Sequence, residues 1–209
     1  MNTYVTGIVL AAYVSLIIEL VLLHVPSVAS NLKILVADKD VVAGYSSKYR
    51  AVFSYSLPVK ILLFLLPVIV VWLLFLFPLL VIICCPDPLT DYMYLPGIWA
   101  QLAGASLVIS GRAMTIWSVL GIRSANNSSR DLSVLTMSGV FRWSRNPGLL
   151  GMFMLIAGLW IIMPSITMAA AVLIYIAHMD FKVRMEEDFL SNRFGEAFDD
   201  YRSRTRRYL

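Results

Sequence analysis

The sequence predicts an all-α, polytopic membrane helical bundle. It has about five transmembrane helices, the last two forming a helical hairpin, and a C-terminal helix on the cytosolic side. Three observations lead there. The 209-residue chain is 59% hydrophobic, only 14% charged, and has a mean hydropathy of +0.78. A soluble domain of that length needs more charge to cover its surface. The apolar residues gather into blocks long enough to enter a bilayer. The basic residues fall into alternate connections between those blocks.

The first block, Val5–Leu23, has no basic residue before it and no clear small-residue cleavage site, so it reads as a retained span. Lys33–Tyr55 mixes apolar and charged residues and reads as an interfacial helix or an ordered loop. Leu57–Cys85 is the second span. Pro58, Pro67 and Pro78 are expected to bend it, which neighbouring membrane helices tolerate. Pro96–Trp117 is the third. Its Gly97, Gly104 and Gly111 recur every seven residues and leave one smooth face for close helix approach. Gly148–Met163 and Ile166–Met179 are the fourth and fifth, broken at Met163-Pro164-Ser165. At 1.5 Å per residue each covers roughly 21–24 Å, less than a hydrocarbon core of about 30 Å. They must run on into the flanking polar segments, or the bilayer must thin.

Charge sets the orientation. Lys33, Lys39, Lys48 and Arg50 lie in residues 24–56, and the connection at 86–95 carries only Asp87 and Asp91. Arg123, Arg130, Arg142 and Arg145 follow in 118–146, the turn at Pro164 has no basic residue, and Lys182 and six arginines occupy the tail. Lys60 and Arg112 sit toward the span ends nearest the basic loops. With five spans, all 17 basic residues fall on one side, so the N-terminus is expected outside and the C-terminus in the cytosol. The net charge of +4 is accounted for by these orienting residues and needs no nucleic-acid partner. Adjacent Cys84 and Cys85 with only His24 and His178 give no metal-ligand set, so none is expected. The whole chain, 1–209, reads as a single membrane domain.

Two polar blocks flank the last hairpin. In SGVFRWSRNPGLLG, from Ser138 to Gly151, Ser138-Gly139 reads as a turn and Pro147 as the first residue of a helix. Asn146 is then the N-cap, expected to bond the free amides, with Arg142 and Arg145 beside a helix start that favours an anion. Gly148 and Gly151 leave the first turn open to approach. The second block starts at Arg184, and its Glu186-Glu187 pair is expected at the membrane boundary. Lys182 and Glu186, and Arg184 and Asp188, are one helical turn apart. Singly, a basic entry loop and a solvated amphipathic tail would explain the two blocks.

Together they resemble a family. Gly139, Phe141, Arg145, Asn146, Pro147 and Gly151 stand at the spacing of G-x-Y-x-x-x-R-H-P-x-Y-x-G. Glu186, Glu187, Leu190, Phe194, Gly195, Phe198 and Tyr201 stand at that of E-E-x-x-L-x-x-x-F-G-x-x-Y-x-x-Y. These runs are similar to those of the integral-membrane methyltransferases, which include isoprenylcysteine carboxyl methyltransferases and phospholipid N-methyltransferases. The resemblance covers roughly residues 97–207, making 97–209 a methyltransferase-like core and 1–96 N-terminal spans with an interfacial loop. It implies S-adenosylmethionine as cofactor at the cytosolic face and a membrane lipid or isoprenoid-linked partner, methylated on a carboxylate or an amine. It also implies cofactor binding by Leu135, Gly139, Phe141, Asn146, Pro147, Gly148, Leu149 and Glu186, and substrate binding by Lys182 and Arg184. Glu186, Glu187 and Arg145 are the candidate catalytic residues. Asn146 replaces the family's usual His, and Leu149 its Tyr. The run Phe141–Pro147 also comes close to the W-R-x-S-R-H-P run of sterol and steroid reductases. A membrane reductase, or a non-catalytic protein of this fold, is the alternative reading.

Overall fold

A computed structural model of the protein describes residues 3–22, 42–84, 96–128, 135 and 137–208. The connection at 86–95, residues 24–41 and Arg130 lie outside these. The described elements are helical: α1 (Thr3–Leu22), α2 (Ser47–Phe53), α3 (Leu57–Lys60), a π-helical turn (Ile61–Leu65) and α4 (Leu66–Cys84). They continue with α5 (Ile98–Ser128), a 3-10 turn (Gly139–Arg142), α6 (Pro147–Ile162), α7 (Ile166–Phe194) and α8 (Glu196–Arg204). Among the described residues, three helical stretches are long and apolar enough to cross a membrane: Leu57–Leu74, Ile98–Ile122 and Ile166–Phe194. The first and fourth expected spans are present as shorter apolar helices, Thr6–Ile18 and Pro147–Ile162.

Two of the prolines sit where the helix accommodates a missing N–H. Pro58 lies in the first turn of α3, where a missing N–H is harmless. Pro67 follows the π-helical turn directly, and the Leu66 N–H reaches back five residues to the Ile61 carbonyl. Widening the turn there adjusts the backbone just before a residue that cannot donate.

Glycine determines how α5 and α6 meet. A Cβ on Gly111 would stand 2.5 Å from the Gly151 carbonyl oxygen, and one on Gly158 2.5 Å from that of Gly104. The backbones touch along both pairs, so α6 runs antiparallel to α5. Between lipid-embedded helices burial drives little, and such van der Waals contact carries the association. Gly97, the third glycine of the repeat, faces open space. Gly151 and Gly148 do not leave the first turn of α6 open. Thr115 and the α5 backbone fill the space at Gly151, and Ser118 Oγ lies 3.0 Å from a Cβ placed on Gly148.

α1 packs on this pair. Val9, Ala12, Tyr13 and Leu16 join Ala105, Val108, Leu155, Leu159 and Met168 in the main core. Arg112 lies mid-helix in α5 and ties α1 down: Nε donates to Ser15 Oγ at 2.8 Å, and Nη2 to the Ser15 carbonyl at 3.1 Å. A second cluster joins Tyr49, Val52 and Phe64 to Met185, so the described part of the 33–55 segment forms a short helix docked on the far end of α7. There the Ser46 N–H donates to Asp188 Oδ2 at 2.8 Å.

Candidate active site

Each polar block is shaped locally before it meets the other. Gly139 takes φ +62, the left-handed conformation that favours glycine, and starts the 3-10 turn that delivers Phe141. Pro147 then opens α6 with Asn146 as N-cap residue. In the second block α7 runs unbroken from Ile166 through the Glu186-Glu187 pair to Phe194. Gly195, at φ +51 and ψ −127, breaks it and turns α8 back toward the first block. The Tyr201 hydroxyl on α8 donates to the Phe141 carbonyl at 2.7 Å. Burial raises that phenol's pKa to about 12, so it remains a donor at neutral pH.

A tail strand-like contact completes the join. The Arg145 N–H donates to the Arg206 carbonyl at 2.9 Å, and Ser144 Oγ to that of Arg207 at 3.2 Å. Asn146 departs from the sequence expectation here. Its side chain does not cap α6; its Nδ2 donates to the Arg207 carbonyl at 3.2 Å, because the returning tail offers that oxygen.

The charged centre is a cluster of three side chains, with Arg145 and Glu187 buried and Arg207 partly exposed. Arg145 Nε and Nη2 both lie 2.9 Å from Glu187 Oε1, and Arg207 Nη2 lies 2.6 Å from Glu187 Oε2. Arg145 Nη1 donates to the Arg202 and Thr205 carbonyls. Both carboxylate oxygens of Glu187 are thus held by guanidinium groups. Glu186, one residue earlier, is different. It presents accessible surface to a pocket, and no hydrogen bond to a described residue engages it.

That pocket has a volume of about 340 Å³. It gathers Leu135, Phe141, Arg145, Asn146, Glu186 and Glu187 from the residues expected at the site. Residues of the second motif also line it: Leu190, Phe194, Phe198 and Tyr201, together with Ile122, Phe189 and Arg193. Gly139, Pro147, Gly148 and Leu149 do not line it; Pro147 and Leu149 are buried in packing at the start of α6. Lys182 is buried one turn before Glu186, at 4% exposure, and is not part of the wall. Arg184 points elsewhere and pairs with Asp180 at 2.7 Å instead of Asp188.

Sequence reasoning missed Phe189, Arg193 and Arg207. Phe189 and Arg193 fall on unspecified positions of the second motif and follow Glu186 at helical spacing. Nothing in the run RSRTRR singles out Arg207; only the fold shows which arginine turns inward. It also missed Tyr45, whose ring centroid lies 5.1 Å from that of Phe189. Burial, then the Glu186 and Asp188 carboxylates, hold its phenol above the ordinary pKa.

Neither a curated protein nor a solved structure matches the chain. A family model does: residues 99–197 match phospholipid methyltransferases, from the start of α5 to the start of α8, taking in the Asn-Pro and Glu-Glu motifs. That match is consistent with the integral-membrane methyltransferase superfamily for this part of the chain.

Proposed function

We propose that the protein is an S-adenosylmethionine-dependent methyltransferase working at the cytosolic membrane face on a lipid or isoprenoid-linked acceptor. The observation that carries this reading is the single pocket into which two motif blocks, some forty residues apart, deliver Phe141, Asn146, Glu186 and Phe198. Its volume lies within the range of about 300–1,000 Å³ usual for small-molecule sites. The donor set suits the cofactor. A carboxylate not held by arginines, with no hydrogen bond to a described residue, can accept hydrogen bonds from an ammonium or from ribose hydroxyls. The aromatic side chains around it offer flat faces for a purine ring and for a cationic sulfonium.

Bound S-adenosylmethionine would supply a methyl group already activated on sulfur. The protein's part is then alignment and exclusion of water. We assign the amino end of the cofactor to Glu186, and its ring to the wall near Phe141, Phe194 and Phe198. Arg145 and Glu187, with Arg207, hold the pocket floor in place. A carboxylate acceptor needs no base. An amine acceptor must lose a proton, and Glu186 is the pocket carboxylate not already held by arginines. Lys182 and Arg184 remain proposed substrate contacts from the resemblance, which would require the acceptor to approach along α7.

The test is calorimetry on purified protein with S-adenosylmethionine and, separately, NADPH. Binding of the first alone supports the reading. Binding of NADPH alone would favour the reductase alternative, and binding of neither the non-catalytic one.

A further inference from the structure

Four of the five tryptophans are exposed: Trp99 at 81%, Trp117 at 61%, Trp143 at 82% and Trp160 at 42%. Their positions along the bundle are not scattered. Trp99 and Trp117 lie eighteen residues apart on α5, hence about 27 Å along its axis. Gly104 meets Gly158 and Gly111 meets Gly151, so the antiparallel register puts Trp160 near the level of residue 102, within a turn of Trp99. At the other end the Phe141 ring lies 3.5 Å from a Cβ placed on Gly121. Gly121 is about 6 Å beyond Trp117 along α5, so Trp143, two residues after Phe141, stands at the same end of the bundle as Trp117. Between the tiers the exposed face of α5 shows Leu102, Ile109 and Ile116.

Two tiers of exposed indoles about 27 Å apart match a hydrocarbon layer of about 30 Å, at whose two boundaries tryptophan concentrates. The pocket wall at Ile122 is five residues beyond Trp117, about 7–8 Å further out. The headgroup layer extends about 5–8 Å on each side of the hydrocarbon. The pocket therefore opens at headgroup depth. The loop beside it carries exposed Arg142 next to exposed Trp143.

We propose that Arg142 and Trp143 form an interfacial lipid-binding edge that holds the pocket mouth in the headgroup layer of an anionic leaflet. The Trp143 indole sits at the hydrocarbon boundary, and the Arg142 guanidinium binds lipid phosphate. This rests on the membrane-protein reading but not on the proposed reaction.

Depth-dependent fluorescence quenching tests it in reconstituted full-length protein. The contribution of Trp143 is read both as the parent minus Trp143→Phe and in a variant with the other four tryptophans changed to Phe. Phosphatidylcholine brominated near the headgroup end of its chains should quench Trp143 more than lipid brominated near the chain ends. In mixed vesicles of phosphatidylglycerol and phosphatidylcholine, with bromine on one or the other, the anionic lipid should be enriched about five-fold around Trp143. Arg142→Gln should abolish that preference. Absence of quenching at either depth, deeper quenching exceeding shallow, or equal quenching by the two lipids in the parent overturns the proposal. The readout uses neither cofactor nor turnover, so its failure is distinguishable from failure of the methyltransferase reading.

Discussion

Arg145 and Glu187 are 42 residues apart in the chain and 2.9 Å apart in the fold, with side chains only 9% and 8% exposed. Arg207 closes on the other oxygen of the same carboxylate. The cluster joins three pieces: the loop before α6, the start of the second motif, and the tail. Removing Arg145 or Glu187 leaves charge buried without its partner, which costs about 3–5 kcal/mol.

Glu187→Ala is therefore expected to lose about that much stability and to release the tail. Arg145→Gln combined with Glu187→Gln should cost less than the sum of the two single changes, because the pair is coupled. Thermal unfolding in detergent measures both. Additive effects would show that the pair does not act as a unit.

The α5–α6 contact yields a second expectation. Gly111→Ala places a methyl 2.5 Å from a backbone oxygen, which no rotamer change relieves. Overpacking of this kind typically costs about 1–3 kcal/mol. Gly97→Ala, which meets nothing, should be close to neutral. Equal unfolding temperatures for the two variants would contradict the packing described here.

Much of this was legible in the sequence because membrane helices announce themselves by apolar length, and α5 also by its glycine repeat. The site was legible as two motifs, since the spacing of Arg145-Asn146-Pro147 and Glu186-Glu187 carries family information. Three features were not. Gly151 reads as an open first turn until its partner Gly111 is known. Asn146 reads as a cap, because the competing Arg207 carbonyl arrives from 61 residues away. The inward turn of Arg207 depends on the break at Gly195, whose direction no local pattern specifies.

The phenols that dock α8 and the tail make the join sensitive to alkali. Burial raises Tyr201 and Tyr208 to about 12, the latter helped by the Asp180 carboxylate that accepts its proton at 3.1 Å. A folded pKa raised above the unfolded value, about 10, means the stabilisation is fully present below pH 10. It falls away as the pH rises through 12. Phenolate absorbance should show one fewer late-titrating group in Tyr201→Phe than in the parent. A loss near pH 10 instead would place this phenol in solvent.

Single cysteines at positions 91, 142 and 204, in a background without Cys84 and Cys85, test the orientation. The basic-residue pattern predicts labelling of position 91 from outside and of exposed 142 and 204 from the cytosol. Labelling of 91 and 142 from the same side would contradict the five-span reading.

The most direct test of the central claim is calorimetric titration of S-adenosylmethionine into the parent and into Glu186→Gln. Glu186 is the pocket carboxylate with no described hydrogen-bond partner, so it is expected to hold the cofactor through charge-assisted hydrogen bonds. Losing one such bond costs roughly 1.5–3 kcal/mol, or about a ten- to hundred-fold drop in affinity. The account predicts binding by the parent and that drop in the variant, with the helical circular dichroism unchanged. Equal affinity in a folded Glu186→Gln, or no binding by the parent, would contradict it.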